Sequence, residues 1–198
     1  YVFKSKEQYF AIFVFIGITL WDFFNKCLIQ SVKVIKNNKP IVSKVYIPKF
    51  ILLVVKMGVN GFKMFISLLI VAAMLAVWRV PLTWNALYIF PILLTLLIVV
   101  FGFSCFLLHY GVFVEDLSNV LNIALRFLFY LTGVFWNIMD RLPAPYNAYI
   151  GKGNPIAFLI TSMRECLIYG QVPHRKLLLL WFVIGLIISI LGVRKIYK

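Results

Sequence analysis

Five stretches of this chain run for about twenty residues with few charges: Tyr9–Leu28, Phe50–Trp78, Trp84–Leu108, Val120–Met139 and Leu177–Val193. About twenty apolar residues wound as a helix cross the ~30 Å hydrocarbon core of a bilayer. Inside that core every backbone N–H and C=O must be satisfied within the chain, which leaves helices or closed barrels. Composition agrees with helices in a membrane. The 198 residues are 63% hydrophobic and 13% charged, with a mean hydropathy of +0.98, too little polar surface to coat a soluble domain. The expected fold is an all-α integral membrane protein with five full spans in a single domain over residues 1–198.

The fourth run follows Glu115 and Asp116 and precedes a polar, Pro-rich turn, Asp140–Tyr146. At 3.6 residues per turn, Asn119, Asn122, Arg126, Tyr130, Gly133 and Asn137 share one stripe, with Leu121, Leu125, Leu128 and Phe135 turned away. An arginine in a membrane helix is costly unless it faces a partner, the bundle interior or water. Arg126 therefore marks either a tie to an acidic neighbour or a polar pathway. Beyond the turn, Asn154 and Pro155 open a shorter apolar segment that ends at Gly170. It is too short to cross, so a re-entrant or extracellular half-helix pair is expected, covered by protein or water.

Net charge is +14, from twenty Lys and Arg against six acids. The basic residues sit largely between apolar runs, where anionic headgroups or an acidic partner suit them better than nucleic acid. Lys33, Lys36, Lys39, Lys44 and Lys49 crowd one connector, broken by Pro40 and Pro48. Counting Lys and Arg on alternate sides gives eight against eight, and the dense connector tips its own side toward the cytoplasm. Asp22 and Lys26, four apart, can pair on one face. Lys56 and Lys63 share a face; Lys56 can snorkel, whereas Lys63 sits deeper and calls for the bundle interior or an acidic partner. His109 reads as an interfacial residue. Cys27, Cys105 and Cys166 read as small buried hydrophobes.

Catalytic signatures are missing. The sequence has no phosphate-cradling Gly-rich loop, no His/Cys metal cluster and no nucleophile elbow. Glu115 and Asp116 are adjacent and point about 100° apart on a helix, a poor acid–base pair. The expectation is a non-enzymatic chain whose energy source, if it moves anything, lies elsewhere.

Two blocks resemble the permease subunit of ABC-type polysaccharide exporters, the O-antigen and teichoic acid group. The first is Gly17, Trp21, Asp22, Phe23 and Phe24, followed by Ser31, Asn37, Asn38 and the Ser43, Lys44, Tyr46, Pro48 connector. The second is Glu115, Asp116 and Leu117, the aromatic-rich helix to Trp136, then Leu142 and Pro143, Asn154 and Pro155, Arg164 and Gly170. Two positions depart from the family pattern. Glu115 stands where the family usually has Arg. Thr132 and Gly133 stand where it usually has a small residue followed by Pro, which implies a straighter helix or one that bends at the glycine.

The resemblance implies six spans in the complete chain, an amphipathic helix and a first span preceding Tyr1, and a homodimer in the bacterial cytoplasmic membrane. It implies two ATP-binding cassette subunits that hold ATP and Mg, with no cofactor in this chain. The cargo it implies is a lipid-linked glycan, moved through a channel lined by the family's first and fifth spans. Val120–Met139 corresponds to that fifth span. Asn122, Arg126, Phe127, Phe129, Tyr130, Phe135, Trp136 and Asn137 are the candidate path residues, since aromatic faces let sugar rings slide without a fixed hydrogen-bond register. A guanidinium suits the pyrophosphate of a lipid carrier. Lys36, Lys39, Lys44, Tyr46 and Pro48 are the candidate contacts to the ATPase. The same architecture exporting a smaller lipid or drug is the alternative, with a membrane-embedded glycan-modifying enzyme behind it.

Overall fold

Helices form along the apolar runs and stop where proline, glycine or a competing side-chain hydrogen bond intervenes. The computed structural model describes residues 9–38, 48–114, 116–136 and 146–196. Among these lie α1 (Phe10–Asn37), α2 (Lys49–Val77), α3 (Ile89–Phe113, entered through one tight turn, Trp84–Tyr88), α4 (Leu117–Leu131), α5 (Tyr146–Gly153), α6 (Pro155–Leu167) and α7 (Arg175–Ile196). The protein is an all-α, multi-pass membrane protein. Among the described residues four stretches, α1, α2, Trp84–Phe113 and α7, are long and apolar enough to cross a bilayer.

Of the helix ends that differ from the sequence expectation, two bear on the site. α1 continues past Leu28 to Asn37, because nothing breaks it before Pro40 and Ser31, Val32 and Val34 extend its buried side. α4 stops at Leu131 and does not run to Met139. Its 15 residues rise about 22 Å, short of the core thickness. The cause is local. Thr132 turns its hydroxyl onto Leu128 O at 2.6 Å while its N–H donates to the same carbonyl at 2.9 Å, and Gly133 takes φ +67°. Glycine tolerates that left-handed conformation, which ends a helix. Of the two outcomes open for Thr132 and Gly133, the chain bends.

α3 and α7 share the most extensive packing. Their seam is made of small residues. A Cβ on Gly102 would meet Ile188 and Ser189, one on Gly185 would meet Val99, and one on Gly192 would lie 2.7 Å from Cys105 Cβ. Ser189 Oγ donates to Ile98 O at 3.0 Å across the seam. Close backbone approach through small residues and a cross-helix hydroxyl is how membrane helices associate without a hydrophobic driving force between them. Gly192→Ala is therefore expected to push the two helices apart and cost about 1–3 kcal/mol, read as a lower thermal midpoint of the purified protein.

α6 lies at the centre. Ile156 through Ile160, Ser162 through Arg164, Cys166 and Leu167 are all buried, packed with Ile12, Ile16 and Leu20 of α1 and Ile92 and Leu96 of α3. A non-spanning helix with buried residues on every side meets the requirement that such backbone be covered by protein. Asn85 Nδ2 donates to Gly170 O at 2.6 Å, tying the loop before α3 to the segment after α6. Asp22 and Lys26 pair at 2.6 Å as their spacing predicts. Of the two surroundings open to Lys63, the structure excludes the bundle interior: it faces outward, exposed like Lys56, on the poorly covered side of α2. All three cysteines are buried and free.

Candidate functional site

The site begins with how α6 is started. Asn154 caps it, its Oδ1 accepting from the N–H groups of Ile156 at 3.0 Å and Ala157 at 3.4 Å, and Pro155 takes the first helical position, where a missing N–H costs nothing. The other side of the cap reaches α4, with Asn154 Nδ2 donating to Thr132 Oγ1 at 3.3 Å. Three turns on, Arg164 is only 4% exposed. It donates from Nε to Phe13 O at 3.1 Å, from Nη1 to Gly133 O at 3.0 Å and from Nη2 to Val134 O at 2.6 Å. Its guanidinium lies over the Phe13 ring, 3.5 Å from the centroid.

One side chain thus joins α1, the bend after α4 and α6. The carbonyls of Gly133 and Val134 are those freed by the helix ending early, and a guanidinium with five donors can satisfy several at once. Gly17 of α1 makes room for it: a Cβ there would collide with Arg164 Nη2 and lie 3.1 Å from Val134 O.

Holding the bend fixes the face of α4 beside it. Leu125 is buried inward, while Arg126 and Tyr130 of the polar stripe are exposed, Asn122 is half-buried and Gly133 buried, so the Arg126–Tyr130 part of the stripe faces out at the rim of the bundle. Between α4 and α1 runs a groove of about 390 Å³, lined by Trp21 and Asn25 from α1 and by Asn122, Leu125, Arg126, Phe129 and Tyr130 from α4. Its walls are an aromatic cluster. Phe129 is edge-on to Tyr130 and Phe135, with ring centroids 5.7 and 5.4 Å apart, and tilted on Trp21 at 5.4 Å. Such offset geometries lock the rings relative to one another. Among the described residues no carboxylate lies within ion-pair distance of Arg126, so a tie to an acidic neighbour within these segments does not explain it.

Of the candidate path residues, Asn122, Arg126, Phe129 and Tyr130 line the groove, and Phe135 joins its aromatic wall. Phe127 is 69% exposed on the outer side of α4, outside the groove lining, and Trp136 stands just past the bend, half-buried. Asn137 lies outside the described residues. Of the candidate ATPase contacts, Lys36 is exposed in the last turn of α1 and Pro48 immediately precedes α2; Lys39, Lys44 and Tyr46 lie outside the described residues. Sequence reasoning assigned no site role to Trp21, Asn25 or Arg164. A signal for the first two was present: Gly17, Trp21 and Asn25 follow one another at four-residue spacing and share a face.

This is a multi-pass helical membrane protein with a polar and aromatic groove on one short helix. Two proteins of Klebsiella pneumoniae, both named O-antigen export system permease protein RfbA, are similar to it along nearly its whole length. One is 24% identical over 194 residues and the other 20% over 192; each match covers 96% of this chain and 73% of the relative. No protein-family model matches the chain. The resemblance to polysaccharide-exporter permeases, carried in the sequence by short motifs, thus extends end to end.

Proposed function

We propose that this chain is the permease subunit of an ABC exporter that carries lipid-linked polysaccharide across the bacterial cytoplasmic membrane. The observation that carries the reading is the similarity to two O-antigen export permeases over 96% of the chain. The groove between α1 and α4 supports it chemically. Phe129, Tyr130, Phe135 and Trp21 offer ring faces and edges to sugars, while Arg126 supplies hydrogen-bond donors and Asn122, whose amide N–H donates to Ser118 O, supplies a carbonyl acceptor on the same side. Arg126 matches the bidentate geometry of a carrier pyrophosphate. Because the stripe faces out of the bundle, a second copy of the chain would complete the path, making the permease a homodimer. Two ATPase subunits holding ATP and Mg would dock at the α1–α2 connector, through Lys36, Lys39, Lys44, Tyr46 and Pro48. This chain then contributes the path and no catalytic group.

Two substitutions probe the groove without disturbing buried residues. Arg126→Gln is expected to raise the concentration of lipid-linked glycan needed for half-maximal ATPase stimulation by roughly tenfold, from the loss of one charge-assisted contact worth about 1.5 kcal/mol. Tyr130→Ala is expected to slow export about three- to tenfold, the loss of one ring contact at about 0.5–1.5 kcal/mol. Unchanged export and ATPase stimulation in Arg126→Gln would remove Arg126 from the path.

The reading itself is tested by co-expressing the full-length permease with its genomic ATPase neighbour and measuring ATP hydrolysis in lipid, with and without lipid-linked glycan. Stimulation by glycan lipid is the expected result. A complex answering only to smaller lipids or drugs would move the substrate class, and failure to form any ATPase complex would overturn the ABC assignment.

A further inference from the structure

α1 and α2 run antiparallel, and Asn60 fixes their register: its Nδ2 donates to Gln30 Oε1 at 3.0 Å and lies 3.6 Å from Cys27 Sγ. In that register Lys26 on α1 stands level with Lys63 on α2, and Lys33 level with Lys56. Along each helix the two lysines are seven residues apart, two turns, so each helix carries them as a row on one face. What the helices do on their other sides settles where the rows point. α1 packs Val32 against Gly111 of α3, and α2 turns Met57, Gly61 and Met64 toward Leu93, Leu97 and Phe101 of α3. The lysine rows occupy the flank of the pair away from α3, and all four lysines are exposed.

Charge on this flank is unbalanced. Among the described residues its one acid is Asp22, which is committed to Lys26 at 2.6 Å. Among the described residues no carboxylate lies within ion-pair distance of Lys33, Lys56 or Lys63.

Depth identifies the counterpart. The 28 residues of α1 rise about 42 Å and the 29 of α2 about 43 Å, against a core of ~30 Å. Charge is absent from Phe10 to Trp21 and again from Met64 to Val77, so these ends belong in hydrocarbon and the excess length projects at the other end. Lys33 and Lys56 then fall in the headgroup layer. Lys26 and Lys63 fall less than about 10 Å inside it, a distance that the flexible lysine stem and a local tilt can span.

We propose that this four-lysine face is a binding site for anionic phospholipid, holding the phosphate groups of the leaflet into which the α1–α2 end projects. The site does not depend on the transport reading. Two lysine pairs, about 10 Å apart along the helices, match a surface of discrete phosphates better than a single deep ion site.

The test titrates acyl-labelled fluorescent phosphatidylglycerol into the purified full-length permease, beside a phosphatidylcholine probe of the same chain length. Wild type is expected to prefer phosphatidylglycerol, with affinity that falls as salt is raised. The K26Q/K33Q/K56Q/K63Q variant is expected to lose about a hundredfold of that affinity, with Lys33, Lys56 and Lys63 contributing about fivefold each and Lys26, paired with Asp22, less. The corresponding Lys→Arg variant keeps the charge and is expected to stay within threefold of wild type. The R175Q/K176Q pair, at the start of α7, is the control and is expected to change little. Retained affinity in the Lys→Gln variant, an equal loss in the α7 control, or loss in the Lys→Arg variant would each overturn the proposal.

Discussion

Arg164→Ala is expected to be the most damaging single substitution in the chain, destabilising the purified protein by about 3–5 kcal/mol and, under the proposed function, abolishing glycan export. The side chain is 4% exposed and donates to three backbone carbonyls, those of Phe13, Gly133 and Val134. Hydrogen bonds to a charged group are worth about 1.5–3 kcal/mol each, and their loss leaves buried carbonyls without these donors. Two of those carbonyls belong to the bend that ends α4, four and five residues from Phe129. The substitution therefore loosens the aromatic groove as well as the core. Arg164→Lys restores the charge but not the planar fork, and one ammonium cannot span acceptors on both α1 and the bend after α4, so it is expected to recover only part of the stability. Thermal unfolding of the three proteins in one detergent checks the order: wild type, then Arg164→Lys, then Arg164→Ala. Equal midpoints would show that the guanidinium contributes nothing to the join.

Trp21→Ala is expected to cost a similar 3–5 kcal/mol, the range for removing a large buried aromatic. Trp21 is only 7% exposed although it borders the groove. It packs on Phe24 from its own helix and on Phe129 from α4, each at 5.4 Å between centroids. Its loss opens the contact that holds the α4 rings to α1. Trp21→Phe keeps most of the volume and is expected to lose less than half as much stability. Export separates two roles. If Trp21 acts only by packing, activity in Trp21→Phe follows the amount of folded protein; if it touches glycan, activity falls further than the folded fraction does. Both are read by comparing surface glycan with permease abundance in the membrane.

These two residues also mark where the sequence was readable and where it was not. Local chemistry was legible. Asn154 and Pro155 start α6 as a cap and a first-turn proline must, and Asp22 pairs with Lys26 one turn on. Arg126 and Tyr130 are exposed where Leu125 is buried, as the period of the stripe predicts, although all three border one groove. The bend at Gly133 was one of two open outcomes, because a glycine permits a positive φ without requiring it; the hydroxyl of Thr132 and the Arg164 clamp select it. Arg164 and its Phe13 acceptor are 151 residues apart in the chain, and no periodicity encodes a backbone carbonyl as a partner. Gly17 was visible as a residue but not as a vacancy shaped for a guanidinium. Lys63 shows a related limit: its depth in α2 left the bundle interior or an acidic partner open, and the packing of α1 and α3, which turns it away from the interior, is not written in its own helix.

The most direct measurement places a photo-crosslinking amino acid at position 130 of the full-length permease in cells making lipid-linked glycan. Light is expected to produce a permease adduct that carries glycan, is absent when glycan synthesis is blocked, and is not formed from Val183 on the exposed side of α7. Adducts to phospholipid alone, or glycan adducts equally frequent from both positions, would contradict a substrate path along α4.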